Sequence, residues 1–324
     1  MAAPVLVDLA AERLGGRAVY ANDEFFAEAA NLLLPADPIW REGEYTDRGK
    51  WMDGWETRRR REPGNDFCII ELGAPGRVST VTVQTTHFSG NHPEACGIGG
   101  LWAPGAGGND LRQRDDWMTI VERSALDGDS THELDADDSL PITHVRLDIF
   151  PDGGVARLRL FGTVEIDWNA IGDEPLDLAA LRFGGTITAA SDRSFGDPSN
   201  MLLPGRSSHM GDGWETRRRR GPGHDWAVVR LGHRATLERV EVCTEHFKGN
   251  YPDEAWVDVC DAGDGEPTDD RWETLVPRSP LRPDSHHVFE SLRRVGSGTH
   301  VRLSIHPDGG VSRFRAFGRP ESGS

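Results

Sequence analysis

The stretch Asp53-Gly-Trp-Glu-Thr-Arg-Arg-Arg-Arg61 returns unchanged as Asp212-Gly-Trp-Glu-Thr-Arg-Arg-Arg-Arg220. An identical run of this length does not recur by chance in a chain of 324 residues. Working outward, Thr85-Thr-His-Phe-Ser-Gly-Asn91 is matched by Thr244-Glu-His-Phe-Lys-Gly-Asn250. Thr143-His-Val-Arg-Leu147 and Pro151-Asp-Gly-Gly-Val155 return at residues 299–303 and 307–311. Asp8-Leu-Ala-Ala11 and Arg13-Leu-Gly-Gly16 return as Asp177-Leu-Ala-Ala180 and Arg182-Phe-Gly-Gly185. The chain is a tandem duplication of one domain. The copies span residues 8–162 and 177–318, joined by a polar, acidic linker at 163–176. The first copy holds ten extra residues between Pro35 and Asp53.

The pattern within each copy is that of strands. Val81-Thr-Val-Gln-Thr-Thr-His87 and Val240-Glu-Val-Cys-Thr-Glu-His246 alternate apolar with polar residues. Val145, Leu147 and Ile149 share one face, as do Val301, Leu303 and Ile305. Each set runs into Pro-Asp-Gly-Gly, a turn signal, and then another alternating stretch. Residues 8–14 and 23–33 are the only helix candidates, the second opened by Asp23 as a cap. Short strands with Gly- and Pro-rich turns predict an all-β chain of two tandem jelly-roll β-sandwiches.

Composition narrows the function. Net charge is −17, which disfavours nucleic acid, so each arginine run is a local cationic spot suited to a small anion. Cys68, Cys96, Cys243 and Cys260 do not occupy matching positions of the repeats. A disulfide framework would have been duplicated with the domain, so reduced thiols and a cytoplasmic location are expected. Asp8 and Glu12 interrupt the N-terminal apolar stretch, unlike a secretion signal. No run approaches the ~20 apolar residues of a membrane span.

Asp-Gly-Trp-Glu-Thr-Arg-Arg-Arg-Arg, Gly223-His-Asp-Trp226, His246-Phe-Lys-Gly-Asn-Tyr-Pro252 and Pro307-Asp-Gly-Gly-Val311 together resemble the allantoicase (allantoate amidinohydrolase) family. Asp23-Glu-Phe-Phe26, Asn31-Leu-Leu33 and Tyr45-Thr-Asp-Arg-Gly-Lys-Trp-Met52 add to the likeness, which covers nearly the whole chain. It implies galactose-binding or discoidin-like sandwiches, hydrolysis of allantoate to ureidoglycolate and urea in allantoin and purine degradation, and homo-oligomers. The other reading is a non-catalytic tandem module that binds a carbohydrate or small anion.

Allantoate carries a carboxylate on a carbon bearing two ureido groups. A site for it needs a cationic fork, polar partners for the ureido groups, and acid and base groups. Alternate side chains of an extended strand point to opposite faces, so at most two arginines of each run can face one pocket. Arg58 and Arg217 are the candidate ligands. Glu56 and Glu215 are candidate catalysts, or else ion-pair partners of the arginines. Asp212 is a further candidate that also fits a turn before glycine. His87 and His246 share strand parity with the valines before them, which places both rings near the end of the apolar face. His246 has Lys248 and Asn250 beside it as substrate contacts. Arg313 and Arg315 stand two apart, about 6.6 Å along a strand, and could flank a carboxylate unless they form a solvated face. If one copy alone is active, its His224 and Trp226 favour the second. No metal motif appears and no cofactor is expected; a divalent metal held by carboxylates of separate strands has no support in the sequence.

Overall fold

The structure is a computed structural model and describes residues 5–321. The chain forms two compact units that part after Glu165. Each is an antiparallel jelly-roll β-sandwich, with helix confined to short turns such as Gly108–Leu111 and Pro198–Leu202.

One long strand organises each unit. In the first it is Asp66–Gln84. Its first half pairs with Ile142–Phe150 and Arg17–Ala21. Its second half pairs with Arg157–Val164 and Thr131–Asp135. The strand therefore passes from one layer of the sandwich to the other. The change falls at Gly73-Ala-Pro-Gly76, where the ladder to Ile142–Phe150 jumps from Glu71 to Gly76. Proline cannot donate to a ladder and glycine permits the bend, so the sequence breaks pairing there. Asp225–Cys243 does the same in the second unit, with a jump between Arg230 and Ala235.

The alternating pattern holds to Gln84 and Cys243 and then stops. Thr85 is buried and its hydroxyl donates to Asp127 O (2.6 Å), while Phe88 N donates to Thr85 O (2.8 Å). The turn so closed holds His87 at φ 70°, and its counterpart holds His246 at φ 71°. A left-handed residue breaks strand parity, so neither imidazole lies on the apolar face expected for it. The helix candidates shrink to Glu12–Leu14 and Ala29–Leu33. Asp23 is no cap; it accepts from Phe25 N and from both the backbone and the side chain of Arg58.

Trp55 and Trp214 fill the cores without any exposure, each with its indole N–H satisfied by a carbonyl, Asp23 O (2.8 Å) or Asp192 O (2.9 Å). Beside Trp55, the strand Gly154–Val155 pairs with Trp55–Glu56. That pairing needs the two glycines of the turn. Gly153 has φ 137°, and a Cβ on Gly154 would lie 2.0 Å from the Phe88 ring. We expect Gly154→Ala to destabilise the protein by about 1–3 kcal/mol through overpacking, read as a lower urea midpoint. An unchanged midpoint would contradict this packing.

Candidate active site

The Trp55–Glu56 pairing fixes the Glu56 carboxylate at the mouth of a cleft of about 510 Å³. Thr57, Arg59, Arg60, Asn91, His92 and Asp152 line it with Glu56. Asn91 Nδ2 donates to Glu56 Oε1 at 2.7 Å. Burial raises the Glu56 carboxyl above its ordinary value, and the Asn91 hydrogen bond opposes this only in part. Thr57 and Gly153 exchange hydrogen bonds, with Gly153 N donating to Thr57 Oγ1 at 3.1 Å, so the floor is fixed from both sides.

The arginine run after Glu56 lies outside any strand, and fixed acids divide its side chains. Arg58 Nε donates to Asp23 at 2.7 Å. Arg60 pairs with the buried Asp66, and its backbone N donates to Asp152 at 2.9 Å. Arg59 has no hydrogen bond or ion pair among the described residues and lies along the cleft. The second run is divided alike. Arg217 lies 3.6 Å from Asp192, Arg219 pairs with the buried Asp225, and Arg218 has no partner among the described residues. Sequence reasoning selected Arg58 and Arg217 and passed over Arg59 and Arg218. The signal available was the repetition of Asp23 and Asp66 as Asp192 and Asp225, each of which occupies a neighbouring guanidinium.

In the second repeat, Asn250 Nδ2 donates to Glu215 Oε1 at 2.6 Å, repeating the Glu56–Asn91 pair. Lys248 is exposed close by in sequence. A cavity of about 370 Å³ lies beside the second run, lined by Ser191, Asp192, residues 217–221 and Asp225. The repeats differ beside Glu56. The extra residues of the first copy form the hairpin Tyr45–Thr46 and Gly49–Lys50, and a Cβ on Gly49 would lie 3.2 Å from the ring of Phe26, which lines the cleft. The matching Phe195 is 66% exposed. The geometry therefore favours the first repeat, against the preference drawn from His224 and Trp226.

Five sequence candidates lie in other settings. Asp212 Oδ2 accepts from Arg313 Nη2 (2.8 Å) and from Ser208 N (3.1 Å). Burial opposes its charge, yet the Arg313 and Ser208 hydrogen bonds hold its carboxyl below the ordinary value. Arg313 is 4% exposed and also donates to the carbonyls of Gly205, Asn200 and Arg206. Arg315 is buried, bonded to Met201 O (3.0 Å) and Gly205 O (2.9 Å), and 3.3 Å from Asp177. These arginines form neither an open fork nor a solvated face, because carbonyls of the segment that covers the strand saturate them. They edge a separate cavity of about 410 Å³ with Glu241, Cys243 and His286. The His246 ring is tied to Ser207 O (2.9 Å), and that of His87 to Pro38 O (3.3 Å).

Burial pushes the Cys96 and Cys243 thiols up to about 12, which makes them poor nucleophiles. Among the described residues no three His, Cys, Asp or Glu side chains are grouped to hold a metal ion. Among the described residues no helix is long and apolar enough to cross a membrane.

Residues 7–165 and 176–321 each match the family model described as the allantoicase repeat. The chain belongs to the allantoicase family. Among its relatives, a protein named probable allantoicase from Pseudomonas aeruginosa (strain LESB58) is 46% identical over 97% of this chain and 96% of that protein. Probable allantoicase 1 from Burkholderia mallei (strain ATCC 23344) is 44% identical over 96% and 94%. The crystal structure of allantoicase from Saccharomyces cerevisiae superposes with a TM-score of 0.79 at 38% identity, covering 97% of this chain and 93% of that one. For this family member, replacement of the buried Arg313 by Ala leaves Asp212 unpaired and should cost about 3–5 kcal/mol of stability. Arg59→Ala should stay within about 0.5 kcal/mol of wild type in the same denaturation series. Equal losses would contradict the different settings of the two guanidinium groups.

Proposed function

We propose that the chain hydrolyses allantoate to ureidoglycolate and urea, and that the Glu56 cleft of the first repeat carries out the reaction. Family membership supports the reaction. The observation that carries the site is a desolvated carboxyl, Glu56, sharing a cleft with a guanidinium, Arg59, that has no partner among the described residues. Arg59 holds the substrate carboxylate through paired N–H donors. Asn91 orients Glu56. In its protonated form Glu56 gives its proton to the departing ureido nitrogen. The C–N bond breaks, and the lone pair of the retained ureido nitrogen stabilises the electron-poor carbon. Glu56, now a carboxylate, takes a proton from water as the hydroxide adds to that carbon, and the carboxylic acid is restored. The products are urea and ureidoglycolate, and no covalent enzyme intermediate forms. The raised Glu56 carboxyl suits this cycle, because it keeps its proton to higher pH than an exposed glutamate does.

The reading includes a small-molecule substrate in place of nucleic acid or membrane, and a homo-oligomer as the family likeness implies. Four buried free thiols support a cytoplasmic location. The test is release of urea and ureidoglycolate from allantoate, with and without a chelator. Stoichiometric products support the reaction, and loss under chelator would mean that an ion acts with these residues. Absence of product under every condition, with allantoate still bound, would favour a non-catalytic binding module. Glu56→Gln should lower kcat by at least ~100-fold, the range of a lost acid–base group. In the wild type kcat/KM should fall as pH rises through the raised Glu56 value, because the acid form starts the cycle. A pH profile identical in Glu56→Gln would remove Glu56 from that role. Arg59→Ala should raise KM by at least ~10-fold, as expected for a lost charged hydrogen-bonding partner.

A further inference from the structure

His92 stands in the Glu56 cleft and has no role in the cycle above. Its backbone is pinned on both sides: Gly154 N donates to Asn91 O (2.8 Å) and Glu94 N donates to Phe150 O (2.8 Å). The ring packs on Gly128, where a Cβ would lie 2.6 Å from Nδ1. Nδ1 is buried without a hydrogen-bond partner. Nε2 makes no hydrogen bond among the described residues and, unlike Nδ1, is not closed off, and the residue lines the cleft. A proton on Nδ1 would be buried with no acceptor, so the neutral ring carries its proton on Nε2. The structure thus holds one N–H donor, fixed in direction and unused, beside the acid–base group. The adjacent Asn91 is itself bonded to Glu56.

We propose that His92 is a catalytic residue, and that its Nε2–H donates to the carbonyl oxygen of the ureido group that leaves as urea. The inference rests on the allantoate reading. As the C–N bond stretches, its electron pair moves onto the departing nitrogen and spreads to the attached carbonyl oxygen. Nε2–H stabilises that developing charge while Glu56 delivers its proton to the nitrogen. The imidazole keeps its own proton throughout, which fits a ring whose other nitrogen has no acceptor. A donor aimed at charge that develops in the transition state acts on kcat more than on KM. The second repeat has Tyr251 at the matching position, before the matching Pro252, so this donor belongs to the first repeat alone.

The experiment compares His92→Leu, His92→Gln and Tyr251→Phe with wild type for urea release from allantoate, alongside thermal unfolding. His92→Leu should lower kcat by ~100-fold or more, the range for loss of one preorganised donor, with KM changed by less than ~5-fold. His92→Gln should recover at least ~10-fold of that loss, because an amide N–H can take the place of Nε2–H. Tyr251→Phe should stay within ~3-fold of wild type, since an interaction outside the reacting site does not enter the barrier. If His92→Leu does not fold, His92→Asn replaces it, since the shorter amide does not reach and should give no recovery. Wild-type kcat in folded His92→Leu, no recovery in His92→Gln at equal thermal stability, or a matching loss in Tyr251→Phe would each overturn the assignment. A wild-type protein that releases no urea would overturn the allantoate reading with it, whereas turnover insensitive to His92 overturns this inference alone.

Discussion

A buried guanidinium joins the parts of each repeat. Arg157 in the first and Arg313 in the second lie on a core strand with almost no exposure. Each donates to the aspartate that opens the repeated string, Asp53 or Asp212, and to carbonyls of the irregular segment lying over the strand. An ion so deeply desolvated is tolerated only when its donors are met, and here carbonyls from distant parts of the chain meet them. The contact brings the segment before the string, the string itself and the last strands of the sandwich to one place. Trp55 and Trp214 then seal the core beside it, and the next residue, Glu56 or Glu215, emerges at the surface.

From that anchor the functional groups follow by chain geometry. Glu56 is held by a two-residue ladder to Gly154–Val155, and that ladder depends on glycines closely packed against Phe88. The arginines after it are partitioned by acids that other parts of the fold supply. Asp23 takes Arg58, Asp66 takes Arg60, and Arg59 is left in the cleft. Of the four like charges two are taken up by acids and Arg61 does not line the cleft, so Arg59 is the available cation there beside one desolvated carboxyl. That pair is what a small anion with a leaving group requires.

Much of the architecture was legible in the sequence because duplication and strand periodicity are local signals. The identical strings gave the internal repeat, alternation gave the long strands, and Pro-Asp-Gly-Gly gave the turns that the structure shows. Alternation misled at His87 and His246, because a threonine hydroxyl bonded to a carbonyl far along the chain closes a turn there. The site was less legible. Arg313 and Arg315 read as an open fork by spacing, yet what lies over a strand face is not encoded in that strand's own period. His92 offered no pattern at all, since its significance lies in which of its nitrogens is covered.

The sequence by itself determined the duplication, the all-β class, the family likeness and the kinds of side chain available for chemistry. Tertiary structure decided which of those side chains remain free to act. Charge and hydrogen-bonding capacity are properties of a residue and can be read in order along a chain. Whether a guanidinium or an imidazole is already satisfied depends on partners up to a hundred or so positions away, and only the folded chain brings them within hydrogen-bond reach.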